Sequence, residues 1–281
     1  MTSHPLSAII PAAGLGTRML PYTKEIPKEM LPIAVGSEGI FEFKPVLHFI
    51  FDALYDVGVR YFYFIVGRGK RVIEDYFTQD WRYVEHLERV GKLELADRLR
   101  AFYEKLDSCN IIMISQPSPK GFGDAILRAA PFMATDKFFI HAGDDIIYPD
   151  HKGNLLMMLS HMDSHDVDGV LLYDLVENPK MYGVIVGEEA DGYIAVEDII
   201  EKPEVPPSNN AVVAVYLFRN SLFDALRETR PKTGEHQLTD AIRFLLRSGK
   251  VIHALRIRGS RLDFGVPEHY LEALRLFVQY A

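Results

Sequence analysis

A glycine-rich loop near the start of the chain carries residue types that bind phosphate. The segment AAGLGTR, residues 12–18, follows a short apolar run, 6–13, that is typical of a buried strand. Glycines can expose backbone N–H groups to an anion, and the guanidinium of Arg18 adds charged donors. The motif predicts a triphosphate-binding loop, while a tight turn with a surface arginine is the alternative.

The spacing separates this loop from two other phosphate-binding motifs. A dinucleotide fingerprint needs a third glycine where this chain has Met19, and a P-loop needs Gly-Lys-Ser or Gly-Lys-Thr, which the segment lacks. The continuation PYTKEIPKEMLP, residues 21–32, contains Lys24 and Lys28 and is interrupted by prolines. Because it is too irregular for a plain helix, we interpret it as a segment that places positive charges.

Acidic residues follow a later apolar run. FFIHAGDDIIYPD, residues 138–150, predicts a buried strand that ends at Asp144 and Asp145, where parallel sheets place functional carboxylates. Either acid could bind Mg²⁺, which needs few protein carboxylates when substrate phosphates supply further oxygens. Turn-forming acids at a strand end are the alternative. Asp263 is, on its own residues, only an acid before a Phe-Gly turn.

Three more segments contain candidate polar groups. QPSPKGFGDA, residues 116–125, has two glycines before a predicted helix, where backbone can approach a flat base. IIEKP, residues 199–203, ends a β-branched run with a carboxylate for sugar hydroxyls and an ammonium for a sugar phosphate, or with a surface ion pair. In EHQLTDAI, residues 235–242, Thr239 before an acid predicts a helix cap.

Two histidines, His161 and His165, have the spacing of a zinc-binding helix. The residue after His161 is methionine and no third ligand is evident, so the pattern favours solvent-exposed histidines.

Strands and helices alternate along the first half of the sequence. Apolar runs predict the strands, and apolar residues at helical spacing predict the helices. The expected strands are 6–13, 61–66, 111–115 and 138–142, with helices at 45–57, 124–130 and 154–164. This alternation predicts an α/β fold whose Rossmann-like sheet is mostly parallel and flanked by helices.

The remaining segments extend that sheet and cover it. Residues 70–107 predict helices with a break at Gly91, which could form a lid or a subunit contact. Later strands with few helices between them predict a mixed or antiparallel extension. They are expected at 170–175, 183–186, 194–200, 212–218 and 251–257, with closing helices at 221–227, 238–247 and 268–280.

The first of these motifs resembles a known family signature. IIPAAGLGTRMLPYTKEIPKEMLPI, residues 9–33, is similar to that of the bacterial-type UTP:glucose-1-phosphate uridylyltransferases, within the sugar-nucleotide pyrophosphorylase superfamily. Its IPKEMLP wording is closer to uridylyltransferases than to thymidylyltransferases. The resemblance extends to about residue 280 and implies one nucleotidyltransferase domain, with a nucleotide-binding half at about 1–145 and a sugar-binding half at about 146–281.

The resemblance also implies roles for the motif residues. Arg18 holds the departing phosphates, Lys28 the nucleotide phosphates and Lys202 the sugar phosphate, and these three are the expected catalytic residues. The implied nucleotide-binding residues are Ala13, Gly14, Gly16, Thr17, Gln116 and Gly121. The sugar would contact Gly183, Glu201 and Lys202, and Mg²⁺ would be held by Asp144 and Asp263.

The chain departs from this family at three places, one of which is the residue pattern around Asp263. Asp145 stands where the family usually has an apolar residue, and Ala214, Val215 and Tyr216 stand where it usually has glycine, a basic residue and tyrosine. The implied reaction forms UDP-glucose and pyrophosphate from UTP and glucose 1-phosphate. The departures leave open dTTP or another sugar 1-phosphate. A non-catalytic sugar-nucleotide sensor is also open, although such a protein would be expected to lose some of the charged site residues.

Whole-chain composition excludes other classes of partner. The formal net charge of −8 over 281 residues opposes nonspecific binding to nucleic acid or an acidic membrane. A single cysteine, Cys109, excludes an intramolecular disulfide framework, and no run reaches the roughly 18 apolar residues of a membrane span. We therefore expect a cytoplasmic homo-oligomer with no nucleic-acid or membrane partner.

Overall fold

A mixed β-sheet lies at the centre of the molecule. The computed structural model describes residues 5–37, 40–231 and 234–279. Its strands are β1 (Leu6–Ala12), β2 (Pro32–Ser37), β3 (Ile40–Pro45), β4 (Val59–Val66), β5 (Asn110–Ser115), β6 (Lys137–His141), β7 (Asp145–Tyr148), β8 (Gly169–Leu175), β9 (Gly183–Ala190), β10 (Tyr193–Glu201), β11 (Asn210–Arg219), β12 (Ile252–Arg256) and β13 (Ser260–Asp263). Its helices are α1 (Val46–Asp56), α2 (Arg71–Tyr76), α3 (Trp81–Arg89), α4 (Leu93–Asp107), α5 (Phe122–Ala129), α6 (His151–His165), α7 (Ser221–Glu228), α8 (Leu238–Arg247) and α9 (Pro267–Gln279).

Nine of these strands form one continuous sheet. Their spatial order is β5-β4-β1-β6-β11-β8-β12-β10-β9. The neighbours β5, β4, β1 and β6 are parallel, whereas β11 runs antiparallel to both β6 and β8. From β1 the chain crosses to β4 and then to β5 on one side, and from β5 it returns to β6 on the other side of β1, so the order reverses beside β1. In open α/β sheets, ligands bind outside the carboxyl ends of the strands at such a point.

The sheet separates two hydrophobic cores. Along β1, Ala8 and Ile10 belong to one core and Ile9 to the other, as expected because successive strand residues point to opposite faces. Helices α1 and α6 contribute to the first core, and α5, α7 and α8 to the second. Burial on both faces explains why β1 reads as a continuous apolar run rather than an alternating one.

The predicted α/β fold class is confirmed, with an antiparallel extension after β6 as expected. That extension makes the sheet mixed rather than mostly parallel, because four of its eight neighbouring strand pairs are antiparallel. The break at Gly91 is also confirmed, because α3 ends before it and this glycine has a φ of +76°. Helix α6 begins at His151, earlier than predicted, because Asp150 caps it by accepting a bond from the amide of Gly153. The last helix was expected to reach Tyr280, which lies outside the described residues.

Two short ribbons were not predicted. Strands β2 and β3 pair with each other, and β7 pairs with β13, both antiparallel. Strands β7 and β13 have four residues each and lie far apart in the sequence, so no local pattern identifies their pairing.

Within the described residues, no helix is long and apolar enough to cross a membrane.

Candidate active site

The glycine loop follows the carboxyl end of β1 and has free backbone donors. Gly16 adopts a left-handed φ of +63°, which glycine accommodates at little cost. Its carbonyl accepts bonds from the Thr23 hydroxyl at 2.7 Å and from the Met19 amide at 2.9 Å, which fix the turn. The amide groups of Gly14 and Leu15 form no hydrogen bond to another described residue. The loop therefore exposes donors beside β1, as an anion-binding turn requires.

Lys28 connects this loop to the carboxylate after β6. Its ammonium contacts Oδ2 of Asp144, and both side chains are largely buried. Burial opposes the charged form of Lys28, but the carboxylates of Asp144, Glu29 and Asp263 outweigh it and raise the lysine pKa. Lys28 is therefore a permanent cation in a cavity of about 230 Å³ that Gly14, Gln116 and Asp144 also line.

A buried ion pair lies behind this cavity. Glu29 is 1% exposed, and its Oε2 is 3.0 Å from Nζ of Lys70. Burial raises the Glu29 pKa, and the Lys70 charge opposes that shift. A side chain on Gly143 would lie 2.9 Å from Cγ of Glu29, so the residue before Asp144 must be small. Glu29 has no local sequence feature that distinguishes it from its exposed neighbour Glu25, so its burial was not predicted.

The loop at residues 116–125 holds Gln116 in one orientation. Gln116 is 5% exposed, and its Nε2 donates to Oδ2 of Asp124 at 2.9 Å and to the Gly121 carbonyl at 3.3 Å. Burial disfavours ionisation of Asp124, but hydrogen bonds from Gln116 and Arg128 lower its pKa, so it remains an acceptor. With its NH₂ group committed, Gln116 keeps its amide oxygen as the group left for a base edge.

Gly121 cannot be replaced without moving this loop. Its φ is +101°, and a Cβ there would lie 2.5 Å from the carbonyl oxygen of His236. The backbone of His236 bonds to this loop twice, donating to the Lys120 carbonyl and accepting from the Gly123 amide, each at 2.8 Å. The segment before α8 therefore fixes the position of the loop at residues 116–125.

The β7–β13 ribbon brings the two predicted metal ligands to one edge. Asp263 pairs across the ribbon with Asp145, directly after Asp144, and the amide of Phe264 donates to the Asp144 carbonyl at 2.9 Å. A Cβ on Gly265 would lie 2.7 Å from Nη2 of Arg18 and 2.8 Å from Oδ1 of Asp263, so Arg18 also reaches this edge.

This pair of carboxylates fits a divalent cation that takes its other ligands from elsewhere. Among the residues that the structure describes, no group of three or more His, Cys, Asp or Glu side chains could hold a metal ion. Two hard oxygen donors beside a phosphate-binding loop match a cation that is coordinated partly by substrate phosphates.

A second cavity, of about 180 Å³, adjoins the first, and Phe122 lines both. It contains Gly183 and Glu201, which face each other across the β9–β10 pairing. A side chain on Gly183 would lie 3.6 Å from Oε2 of Glu201, so glycine leaves the carboxylate accessible. The other walls are mainly apolar or aromatic and include Tyr182, Val212, Ala214 and Tyr216.

Lys202 follows the cavity-lining Glu201 and has an unusual backbone conformation. Its φ is +42°, which is uncommon for a residue with a Cβ, and its amide donates to the Tyr182 carbonyl at 3.0 Å. Its side chain is 58% exposed, with Nζ 3.7 Å from Oε1 of Glu201. Strained residues of this kind are concentrated at functional sites.

One wall of the second cavity contains the arginine of a buried arginine–carboxylate pair. Arg261 donates from Nε and Nη2 to the two oxygens of Asp145, at 2.8 and 2.7 Å. Burial raises the pKa of Asp145, although the charge of Arg261 opposes the shift. The unusual acid at position 145 is thus explained by its partner, which lies 116 residues later in the sequence.

A second buried network supports the turn that carries Asp144. The amide of Ile147 donates to Nδ1 of His151, so His151 donates from Nε2 to Nε2 of His141 at 2.9 Å. His141 then donates from Nδ1 to the Ala142 carbonyl at 2.7 Å. Burial lowers the His141 pKa to about 4, so both rings are neutral and each nitrogen has a partner.

Two sequence-based interpretations are wrong. Thr239 does not cap α8, because Gln237 holds the N-cap position; its hydroxyl is buried without a hydrogen-bond partner and lines the second cavity. His161 is not solvent-exposed: it is half-buried, with Nε2 2.9 Å from Nδ1 of His253. The exposure predicted for His165 is confirmed.

The fold and these cavities define an α/β nucleotide-binding protein with a second ligand site beside the nucleotide. Residues 7–279 match the family model described as nucleotidyl transferase. The chain belongs to this nucleotidyl transferase family, whose members generally use a divalent metal.

Curated relatives match over most of their length. The chain is 36% identical to UTP–glucose-1-phosphate uridylyltransferase of Bacillus subtilis, with 92% of this chain and 84% of the relative covered. It is 34% identical to the protein of that name from Pseudomonas aeruginosa, with 94% and 93% covered.

Solved structures of similar proteins carry ligands. A UTP-bound UGPase from Acinetobacter baumannii superimposes with a TM-score of 0.85 at 28% identity, covering 98% of this chain and 93% of that one. A UDP-glucose pyrophosphorylase complexed with UDP-glucose gives a TM-score of 0.82 at 32% identity, covering 99% and 100%.

Proposed function

We propose that this chain is a UTP–glucose-1-phosphate uridylyltransferase, which forms UDP-glucose and pyrophosphate from UTP and glucose 1-phosphate. The observation that carries the proposal is the pair of adjoining cavities at one edge of the sheet, with Lys28 and Asp144 in the first and Glu201 in the second. This arrangement suits a nucleotide and a sugar whose phosphates meet between them. The names of the relatives support the same substrates.

The geometry of Gln116 favours a uracil or thymine base. Its free amide oxygen can accept the N3–H of uracil, whereas cytosine has an acceptor at that position. Gly121 and Ala13 would pack on the base, and Gly14, Gly16 and Thr17 would border the ribose and phosphates. An unpaired acceptor buried against Gln116 would cost about 1–3 kcal/mol, which disfavours CTP.

The reaction needs charge neutralisation and positioning more than proton transfer. A phosphate monoester has a second pKa of about 6, so its oxygen is already anionic at neutral pH and can attack the α-phosphorus directly. A new O–Pα bond forms as the Pα–O–Pβ bond breaks, and pyrophosphate leaves. Lys28 and Arg18 would neutralise the nucleotide phosphates, and Lys202 would hold the sugar phosphate in line.

Mg²⁺ is the cation that we assign to Asp144 and Asp263, since these carboxylates are hard oxygen donors and substrate phosphates can complete its coordination. When bound, it would supply positive charge to the phosphate oxygens. Lys28 holds one oxygen of Asp144 in the described geometry, so the same carboxylate is positioned by protein contacts alone.

The proposal extends to three features of the whole chain. Residues 1–145 would form the nucleotide-binding half and 146–281 the sugar-binding half of one domain. The protein would act in the cytoplasm, for which its single cysteine is the supporting feature, and as a homo-oligomer.

Two other functions compete with this one. The same chemistry on dTTP or another hexose 1-phosphate is favoured by Ala214 in the second cavity wall and by the Asp145–Arg261 pair, whose arginine lines the same cavity. A non-catalytic sensor is disfavoured because Arg18, Lys28, Asp144, Lys202 and Asp263 are all present.

A substrate panel distinguishes these functions. The purified chain is mixed with Mg²⁺, each of UTP, dTTP, CTP and ATP, and each of several hexose 1-phosphates, and pyrophosphate release is measured. The proposal expects the highest kcat/KM for UTP with glucose 1-phosphate. Turnover of dTTP alone would replace the uridylyl assignment, and no turnover of any pair would favour a sensor.

A further inference from the structure

The second cavity contains a cation whose position is set by a buried carboxylate. The guanidinium of Arg261 is held by both oxygens of Asp145, whose side chain is 4% exposed. One face of the guanidinium lies 4.9 Å from the ring centroid of Tyr182. Both the pair and the ring therefore restrict Arg261 to one orientation, with the guanidinium in the cavity wall.

This arrangement leaves one end of the guanidinium available. Nε and Nη2 donate to Asp145, while Nη1 has no hydrogen bond to any other residue in the described part of the chain. Because the fork is rigid, the direction of the remaining N–H groups is fixed before a ligand arrives. The hydroxyl of Thr239, buried without a partner, lines the same cavity.

The charges in the cavity limit what Nη1 can bind. The Asp145 charge balances that of Arg261. The Glu201 carboxylate in the same cavity has, among the described residues, only the exposed Lys202 ammonium as an ion-pair partner, at 3.7 Å. A carboxylate on the sugar would therefore be repelled by Glu201, and Arg261 would not offset this repulsion because Asp145 already neutralises its charge. An uncharged hydroxyl oxygen can accept from Nη1 and donate to Glu201, so it suits both groups.

We propose that Arg261 is a specificity-determining residue that donates from Nη1 to one hydroxyl of an uncharged hexose 1-phosphate. This proposal rests on the proposed function and names the substrate class of the same site. It gives a role to Asp145, the acid at a position that the family usually fills with an apolar residue: the carboxylate fixes the donor. A site built around a substrate hydroxyl discriminates strongly against an analogue that lacks it.

The test pairs substrate changes with protein changes. For the hexose 1-phosphate that the wild-type protein uses best, kcat/KM is measured for analogues lacking the hydroxyl at C2, C3, C4 or C6, in turn. The same series is measured for Arg261→Met and for Arg261→Lys. The lysine keeps a positive charge near Asp145 but lacks the planar guanidinium group. Removing the bonded hydroxyl is expected to lower the wild-type kcat/KM about 10- to 100-fold, as for a hydrogen bond to a charged group.

In both Arg261 variants, we expect the loss of kcat/KM for one deoxy analogue to shrink to about threefold or less. The losses for the other deoxy analogues should persist. Arg243→Met is the matched control, because Arg243 makes the same two-bond contact with Asp198, at 2.7 and 3.2 Å, and does not line the cavity. It should keep every wild-type penalty. UDP affinity, measured by titration calorimetry, should be unchanged in all three variants.

Other outcomes overturn the proposal. If all the deoxy penalties persist in both Arg261 variants, or if Arg243→Met erases the same penalty, Arg261 does not read the sugar. A wild-type preference for hexuronate over hexose 1-phosphates would reject the uncharged substrate class. Absence of turnover with every sugar 1-phosphate is a distinct outcome, which overturns the proposed function and this inference together.

Discussion

At the scale of single residues, the site depends on side chains whose charge or orientation is set by a neighbour. Lys28 is kept charged by carboxylates, Gln116 is oriented by Asp124, and Arg261 is fixed by Asp145. Each neighbour fixes the charge or the orientation of its side chain before a ligand binds, so less conformational entropy is lost on binding. Such preorganised electrostatics is the largest source of rate enhancement in many enzymes.

Lys28→Met should lower kcat for UDP-glucose formation by about 100- to 1,000-fold, the usual effect of removing one donor that stabilises transition-state charge. Steady-state kinetics at saturating UTP provides the measurement. Lys24→Met is the matched control, because this lysine is four residues earlier and 77% exposed. Equal activity of Lys28→Met and the wild type would remove Lys28 from the catalytic residues.

Asp124→Asn should weaken discrimination between UTP and CTP. An asparagine can donate as well as accept, so it no longer forces the Gln116 NH₂ group away from the base. We expect kcat/KM for UTP to fall about tenfold relative to that for CTP. Asp224→Asn, on the exposed face of α7, is the control, and an unchanged UTP-to-CTP ratio in Asp124→Asn would contradict the assigned orientation of Gln116.

At the scale of elements, local patterns predicted the larger helices and central strands but not the short ribbons. Strand β1 and the loop after it were predictable because apolar runs, glycines and prolines act locally. The β7–β13 pairing that unites Asp144 with Asp263 depends on contacts between residues over a hundred positions apart. For that reason, the roles of these acids came from a family resemblance and not from spacing.

The second cavity shows the same limit at its walls. A threonine before an acid at a helix start resembles a cap, and only the packing of α8 against β10 shows that Thr239 lines a cavity. The Asp145–Arg261 pair could not be predicted either, because no local sequence feature of either residue indicates its partner.

Gly121→Ala tests how the segment before α8 holds the loop at residues 116–125. The new methyl group would clash with the His236 carbonyl, so the loop must move, and we expect the KM for UTP to rise at least tenfold. Gly58→Ala is a close control: its φ of +102° matches, but no atom lies within 4 Å of its Cβ position. Both variants should lose stability from backbone strain, and equal KM values would contradict the proposed restraint.

At the scale of the whole molecule, one sheet joins the two cavities, and α6 connects the site to a histidine cluster on the far strands. The cluster consists of His161, His165, His253 and Tyr193, with His161 and His165 stacked at 4.0 Å and His253 and Tyr193 at 4.1 Å. Burial and then the neighbouring histidines lower the His161 pKa from 6.5 to about 4, and the His253 pKa is also lowered.

This cluster makes stability depend on pH. Because the folded-state pKa lies below the unfolded value, the unfolded chain takes up the proton first as the pH falls. The contribution of this cluster to the free energy of unfolding should therefore be fully present above about pH 6.5 and decline towards pH 4. His161→Gln should reduce the loss of unfolding free energy between pH 7 and pH 5, measured by urea unfolding, by about 1 kcal/mol. This is roughly half the full linkage value, because solvent screens a group that is only partly buried. The exposed His269→Gln control should not, and an unchanged pH dependence in His161→Gln would contradict this account.

The function itself is tested most directly by identifying the product. The purified chain, UTP, glucose 1-phosphate and Mg²⁺ are followed by ³¹P nuclear magnetic resonance, with Asp144→Asn as the comparison. We predict that the UTP and sugar phosphate signals are replaced by those of UDP-glucose and pyrophosphate, and that Asp144→Asn, correctly folded by circular dichroism, converts substrates at least 100-fold more slowly. No UDP-glucose from the wild-type chain, or undiminished conversion by Asp144→Asn, would contradict the account.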